Sequence, residues 1–402
     1  MPFEATRSPR PSVSSAAEGR PATADAVRHR MLPRRASEQI DLPDLWMSVW
    51  AKADVNTSAT AEENLLRRFV TSPFTLGRVP IVFRGGVYFI ATLDVNPHVL
   101  DQSPIVVAHG AGAGLGFTYR NLDALACLGG RQRRVLAFDW LGCANSSREE
   151  LPSRGGWFSQ ELTEDEHIEA VIGFFVESFE AWRAHLELMR MDLVAHSLGG
   201  YLAAHYAMKY PERVRRLVLS SPAGLGRQPR PEEVCVAGEG RGMQRYQWLW
   251  DAGWLNFGTI SLLGRLVGRV MYTTAKDRFA LRFSIEGEEL DLFFEYFWQM
   301  TCAQESTADH AANVLLVPIE TKVQVCLYGR HAISAYPSEQ LARLSMPIAV
   351  LFGSQDWIYT KSCDEFVKLV PNAKQHRLDN AGHHLYLDNR PQYHSILQEL
   401  LS

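Results

Sequence analysis

Leu193-Val194-Ala195-His196-Ser197-Leu198-Gly199-Gly200-Tyr201-Leu202-Ala203-Ala204-His205-Tyr206 is an apolar run, a sharp turn of small residues with one serine at its apex, and the opening of a helix. The apolar stretch from Met191 to Ala195 predicts a buried parallel strand, and Leu202, Ala203, Ala204, Tyr206 and Ala207 predict the packed side of a helix. Between the two the backbone turns almost on the spot, so the positions two before and two after Ser197 must be small, and Ala195 and Gly199 meet that condition. The pattern is that of a G-x-S-x-G nucleophile elbow with alanine in place of the first glycine. Such a turn exposes a strained hydroxyl at a helix N-terminus, where free N–H groups and the helix dipole favour developing negative charge. An ordinary strand-to-helix connection that happens to contain a serine is the competing reading of these residues alone.

Outward from the elbow, strand and helix patterns alternate. Pro104 to Ala108 predicts a buried strand that delivers the chain to the glycine-dense His109-Gly110-Ala111-Gly112-Ala113-Gly114-Leu115-Gly116. Glycines at this density let backbone N–H groups approach a ligand. Arg134 to Phe138, Val214 to Ser220 and Ile348 to Phe352 predict further strands. Arg120 to Leu128 and Phe174 to Met189 predict helices, and Pro80 to Leu93 predicts a hairpin about Gly85-Gly86. This alternation predicts an α/β fold with a doubly wound, mostly parallel sheet. The aromatic-rich residues from about 223 to 343 read as a helical cap insertion within one domain spanning 41–402.

Composition narrows the function classes. A net charge of −4 with no basic, aromatic-interleaved stripe gives no case for nucleic acid. The six cysteines show no C-x-x-C spacing, so neither a zinc site nor a disulfide framework is suggested, and no cofactor motif is present. No apolar run is long enough for a transmembrane helix. Residues 1–40 form a tail rich in arginine, serine and alanine, with Glu4, Glu18 and Asp25 opposing Arg7, Arg10, Arg20, Arg28, Arg30, Arg34 and Arg35. That composition suits a mitochondrial transit segment as well as a plain polar tail, and its prolines oppose a continuous helix. Trp46 and Trp50 lie one helical turn apart and suit a membrane interface, with packing onto the core as the alternative.

Three residues of complementary chemistry fall at predicted strand ends in the order Ser197, Asp356, His383. A serine hydroxyl needs a neutral imidazole to take its proton and a carboxylate to hold the ring in the right tautomer. Their chain order is the one associated with α/β-hydrolases. The matching oxyanion hole would use the N–H of Leu198 with one from the glycine-rich loop, Ala111 or Gly112. His384, adjacent to His383, is the competing base.

These motifs, together with Phe138-Asp139-Trp140-Leu141-Gly142, Ser146-Ser147-Arg148 and Gly382-His383-His384-Leu385-Tyr386-Leu387-Asp388, resemble the α/β-hydrolase domain lipases and acyltransferases grouped around CGI-58, which include the yeast cardiolipin-specific deacylase. The resemblance runs from about Trp46 to Leu401. It implies a glycerophospholipid or lysophospholipid substrate met at a membrane or lipid-droplet surface. The implied activity is phospholipase A-type deacylation, with acyl-CoA-dependent lysophospholipid acyl transfer and non-catalytic lipase regulation as alternatives. His383 and Asp388 match the family's H-x4-D pattern, although Asp388 reads better as closing the loop after His383 while Asp356 serves the imidazole. CGI-58 itself looks to have lost the serine that Ser197 supplies here, which disfavours a purely regulatory role. A mitochondrial location, or a cytoplasmic one peripheral to membranes or lipid droplets, is the corresponding expectation.

Overall fold

The structure, a computed structural model of the chain, describes residues 32–33, 55–155, 161–234, 272, 274–302, 309–321 and 325–402. Trp46, Trp50 and the cap aromatics Trp248, Trp250, Trp254 and Phe257 lie outside the described residues, as does nearly all of the arginine-rich tail.

Ten strands carry the argument: β1 (Phe74–Phe83), β2 (Gly86–Val95), β3 (Ile105–Ala108), β4 (Val135–Phe138), β5 (Met191–His196), β6 (Val214–Ser220), β7 (Leu316–Glu320), β8 (Val325–Gly329), β9 (Ile348–Gly353) and β10 (Ala373–Leu378). Eight of them form one sheet in the order β1-β2-β4-β3-β5-β6-β9-β10, extended at the β1 edge by the short strand Leu32–Pro33. Pairing is antiparallel from β1 to β4 and parallel from β4 to β10.

The central strands are apolar on both faces because both faces are covered. In β3, Val106 and Ala108 point to one hydrophobic cluster and Ile105 and Val107 to the other. The first cluster takes Phe175, Phe179 and Trp182 from helix α3 (Glu164–His185) and Leu202 and Tyr206 from α4 (Leu198–Lys209). The second takes Leu65 and Leu66 from α1 (Val55–Phe69), Leu122 from α2 (Tyr119–Ala126), Phe293 from α5 (Gly287–Cys302) and Leu397 from α6 (Arg390–Leu401).

Three differences from the sequence reading have physical causes. Helix α3 begins at Glu164, well before Phe174, because Thr163 and Glu166 form a reciprocal capping box ahead of its apolar face. β10 was not predicted because Ala-Lys-Gln-His-Arg-Leu is polar, and only its end residues Ala373 and Leu378 are buried at the sheet edge. The insertion is not wholly helical, since β7 and β8 pair as an antiparallel hairpin within it.

The site's position follows from the topology. β3 and β5 are neighbours, yet the chain leaves β3 toward β4 on one side and returns to β5 on the other. Strand order therefore reverses between β3 and β5, and the crevice beyond their carboxyl ends is where α/β sheets place ligands.

Candidate active site

Four loops at the carboxyl ends of parallel strands converge beside that crevice. β3 runs into His109, β5 into Ser197, β9 into the Asp356 loop and β10 into the His383 loop. Ser197 adopts φ 53° and ψ −123°, a left-handed conformation rare for a residue with a side chain. The surrounding structure imposes it: Ser197 N–H donates to the Ser220 carbonyl at 3.0 Å, and its own carbonyl accepts from Tyr201 and Ala223. Gly199 is required at the next turn, because a Cβ there would collide with the His109 carbonyl oxygen. Ala195, where the motif has glycine, points into the packed face of β5 and leaves the turn intact.

The structure brings the three sequence-predicted residues into line. Ser197 Oγ donates to His383 Nε2 at 2.9 Å, and His383 Nδ1 donates to Asp356 Oδ1 at 3.2 Å. All three are buried. Burial pushes the Asp356 carboxyl up, but the His383 ring beside it more than offsets this and holds it below the usual carboxylate range. A carboxylate that stays ionised fixes the Nδ1–H tautomer and leaves Nε2 free to accept the serine proton.

Asp388 is placed otherwise. Its carboxylate accepts from the Gly382 N–H at 2.9 Å and pairs with Arg282 at 2.7 Å, so it closes the loop that carries His383 and makes no pair with the imidazole. His384 is turned away among Phe117, Phe283 and Tyr386, and burial keeps it neutral by driving its pKa well below the ordinary value.

Ala111, Gly112 and Leu198 line one cleft with His109, Trp140, Phe175, Leu202 and Met300. Leu198 is the first residue of α4, so its N–H belongs to the group at a helix start that has no partner within the helix. The glycine-rich loop is held by Asp139, which accepts from Leu115 N–H at 2.7 Å and Asn145 N–H at 2.9 Å, and by the Trp140 indole, which donates to the His109 carbonyl at 2.9 Å.

Two participants escaped the sequence reading. His196, inside the elbow motif, faces Gly110 with its ring and donates from Nε2 to the His383 carbonyl at 2.9 Å, which ties the His383 loop to the strand that ends in Ser197. Burial, reinforced by His383, brings its pKa down to about 3, so it is a neutral donor. Trp357, half exposed beside the His383 ring, is the second.

The described cap aromatics are largely occupied with packing. Phe279, Phe293, Phe294 and Phe297 contact one another, and Phe117 and Tyr119 receive them from the core. Among the described residues of the insertion, Met300 and Thr301 are the ones that reach the cleft.

With this geometry in place, comparison with known proteins is informative. Residues 103–390, more than half of the chain, match the family model described as alpha/beta hydrolase fold. A (lyso)-N-acylphosphatidylethanolamine lipase of Mus musculus is 26% identical over 89% of this chain and 96% of its own length. The 1-acylglycerol-3-phosphate O-acyltransferase ABHD5 of Mus musculus is 28% identical over 91% of this chain and 97% of its own. A 1-acylglycerol-3-phosphate O-acyltransferase of Arabidopsis thaliana is 30% identical over 73% of this chain and 65% of its own. Among solved structures, carboxylesterase CesB from Bacillus subtilis covers 86% of this chain and 96% of its own at TM-score 0.55 and 17% identity. A bacterial membrane phospholipase A covers 89% and 93% at TM-score 0.51 and 17% identity. At such identities the structural likeness speaks for the fold alone.

Proposed function

The chain belongs to the alpha/beta hydrolase fold family, and from that premise we propose that it is a serine-dependent lipid acyl-hydrolase. The observation that carries the proposal is the hydrogen-bonded line Ser197–His383–Asp356 beside a cleft lined by apolar side chains. In the proposed reaction His383 Nε2 takes the Ser197 proton as Oγ attacks the ester carbonyl. The oxyanion is received by the N–H of Leu198 and of Ala111 or Gly112, and collapse expels the lysolipid with the proton returned from His383. Water then releases the fatty acid by the same steps, with His383 as its base.

The full-length likeness to a (lyso)-N-acylphosphatidylethanolamine lipase supports a glycerophospholipid as the acyl donor. The cleft between Trp140, Phe175, Leu202 and Met300 would take the acyl chain, and half-exposed Trp357 stands at the base's side, where a lipid surface would approach. No helix among the described residues is long and apolar enough to cross a membrane. The arginine-rich tail composition supports a mitochondrial substrate such as cardiolipin within this class.

Acyl transfer to a lysophospholipid is the second reading, favoured by the acyltransferase relatives. It shares the acyl-enzyme and differs in the acceptor. Regulation without catalysis is opposed by the Ser197–His383–Asp356 line. The test is incubation of the purified full chain with a panel of phospholipids, with and without lysolipid and acyl-CoA, and product profiling by mass spectrometry. Free fatty acid with lysolipid supports hydrolysis, while re-acylated lipid without free acid supports transfer.

A further inference from the structure

A side chain of the cap region touches the glycine-rich loop at Gly114 and Gly116. Tyr296 of α5 is fully buried, and its hydroxyl accepts from the Gly116 N–H at 3.3 Å. The same oxygen lies so close to Gly114 that a Cβ there would collide with it. Burial, and then the charge of Glu62, a fully buried carboxylate of α1, keep the phenol protonated by raising its pKa well above the ordinary value. α1 and α5 pack directly on each other, so the pair spans their interface.

Packing explains the ring but not the oxygen. The ring contacts Phe117 at 6.1 Å between centroids, which a phenylalanine would do equally well. A buried hydroxyl is costly unless it is hydrogen-bonded, and here its oxygen is bonded to the loop. Asp139 grips the same loop at Leu115, so Gly114–Gly116 is held from two sides, by β4's end and by the cap helix.

We propose that Tyr296 is a positioning residue for the oxyanion loop, oriented by Glu62: by fixing Gly114 and Gly116 it sets where the Ala111 and Gly112 N–H groups stand relative to Ser197. The inference rests on the reading of Ser197 as nucleophile. It assigns to α1 and α5, neither of which carries a reacting group, control over how well the developing oxyanion is bound.

The test uses the full chain, steady-state hydrolysis of p-nitrophenyl butyrate, and the rate at which a fluorophosphonate, whose phosphoryl oxygen takes the oxyanion's place, labels Ser197. Tyr296→Phe should lower kcat and the labelling rate together by about ten- to a hundred-fold with KM nearly unchanged, because a displaced donor weakens transition-state binding more than substrate binding. Glu62→Gln, which keeps an acceptor for the hydroxyl, should stay near wild type, while Glu62→Leu should fall with Tyr296→Phe. Wild-type kcat and labelling in Tyr296→Phe, or slowing through KM alone, would overturn the proposal. Should Tyr296→Phe fail to fold, equal losses in Glu62→Gln and Glu62→Leu overturn it. A wild-type chain that neither labels nor hydrolyses the ester removes the Ser197 reading itself, and this inference with it.

Discussion

Two aspartates compete for one imidazole in the sequence, and the structure separates their work by what each carboxylate touches. Asp356 accepts from His383 Nδ1, whereas Asp388 accepts from the Gly382 N–H and pairs with Arg282. Asp356→Asn should therefore cost turnover about 10⁴-fold by favouring the wrong tautomer, with the fold retained. Asp388→Asn should chiefly lower thermal stability, since it weakens the loop closure and an ion pair. Ester turnover and melting temperature measured on both variants check the split, and a larger turnover loss for Asp388→Asn would reassign the orienting carboxylate. Residue types in chain order singled out Ser197, Asp356 and His383 as one group, because a hydroxyl nucleophile of the proposed kind needs an imidazole and a carboxylate, and the structure brings the three side chains together. The roles of His196 and Tyr296 were not legible, since a histidine within the motif and a tyrosine in an aromatic segment acquire meaning only from what they face.

At the scale of elements, sequence patterning worked where burial is two-sided and failed where it is partial. Ile105–Ala108, Val135–Phe138, Met191–His196 and Ile348–Gly353 are buried throughout and mostly apolar, and were readable as strands. Ala373–Leu378 is an edge strand with charged faces, and the Leu316–Gly329 hairpin sits inside a segment whose aromatics suggest helix, so both were missed. The start of α3 was missed although its signal is local: Thr163 accepts from the Glu166 N–H, and Glu166 accepts from the Thr163 N–H at 2.9 Å. Thr163→Ala removes one half of that box and should cost about 1 kcal/mol, read as a lower urea midpoint at unchanged slope. An unshifted midpoint would show that α3 is held by its packed face alone.

For the whole molecule, the buried imidazoles contribute to the loss of stability in acid. Burial brings His109 down to about 4 and His205 down to about 3, and His196 likewise stands at about 3. The folded pKa of each is below its unfolded value, so the unfolded chain binds more protons; the stability each contributes is present above about pH 6.5 and is lost as pH falls from there toward 3 to 4. Each imidazole adds on the order of 1 kcal/mol per pH unit to that loss within its window. His205, packed edge-on to Tyr201 away from the Ser197–His383–Asp356 line, isolates the effect. Chemical denaturation of wild type and His205→Phe at pH 7.5 and 5.5 should show a smaller drop for the variant, and equal drops would mean that His205 does not take up a proton on unfolding. The central claim, however, concerns the covalent step. Rapid quenching of the full chain mixed with a glycerophospholipid, followed by peptide mass spectrometry, should find the lipid's acyl group on the peptide containing Ser197, and Ser197→Ala should show neither the adduct nor fatty acid release. Fatty acid released at the wild-type rate by Ser197→Ala would contradict the account.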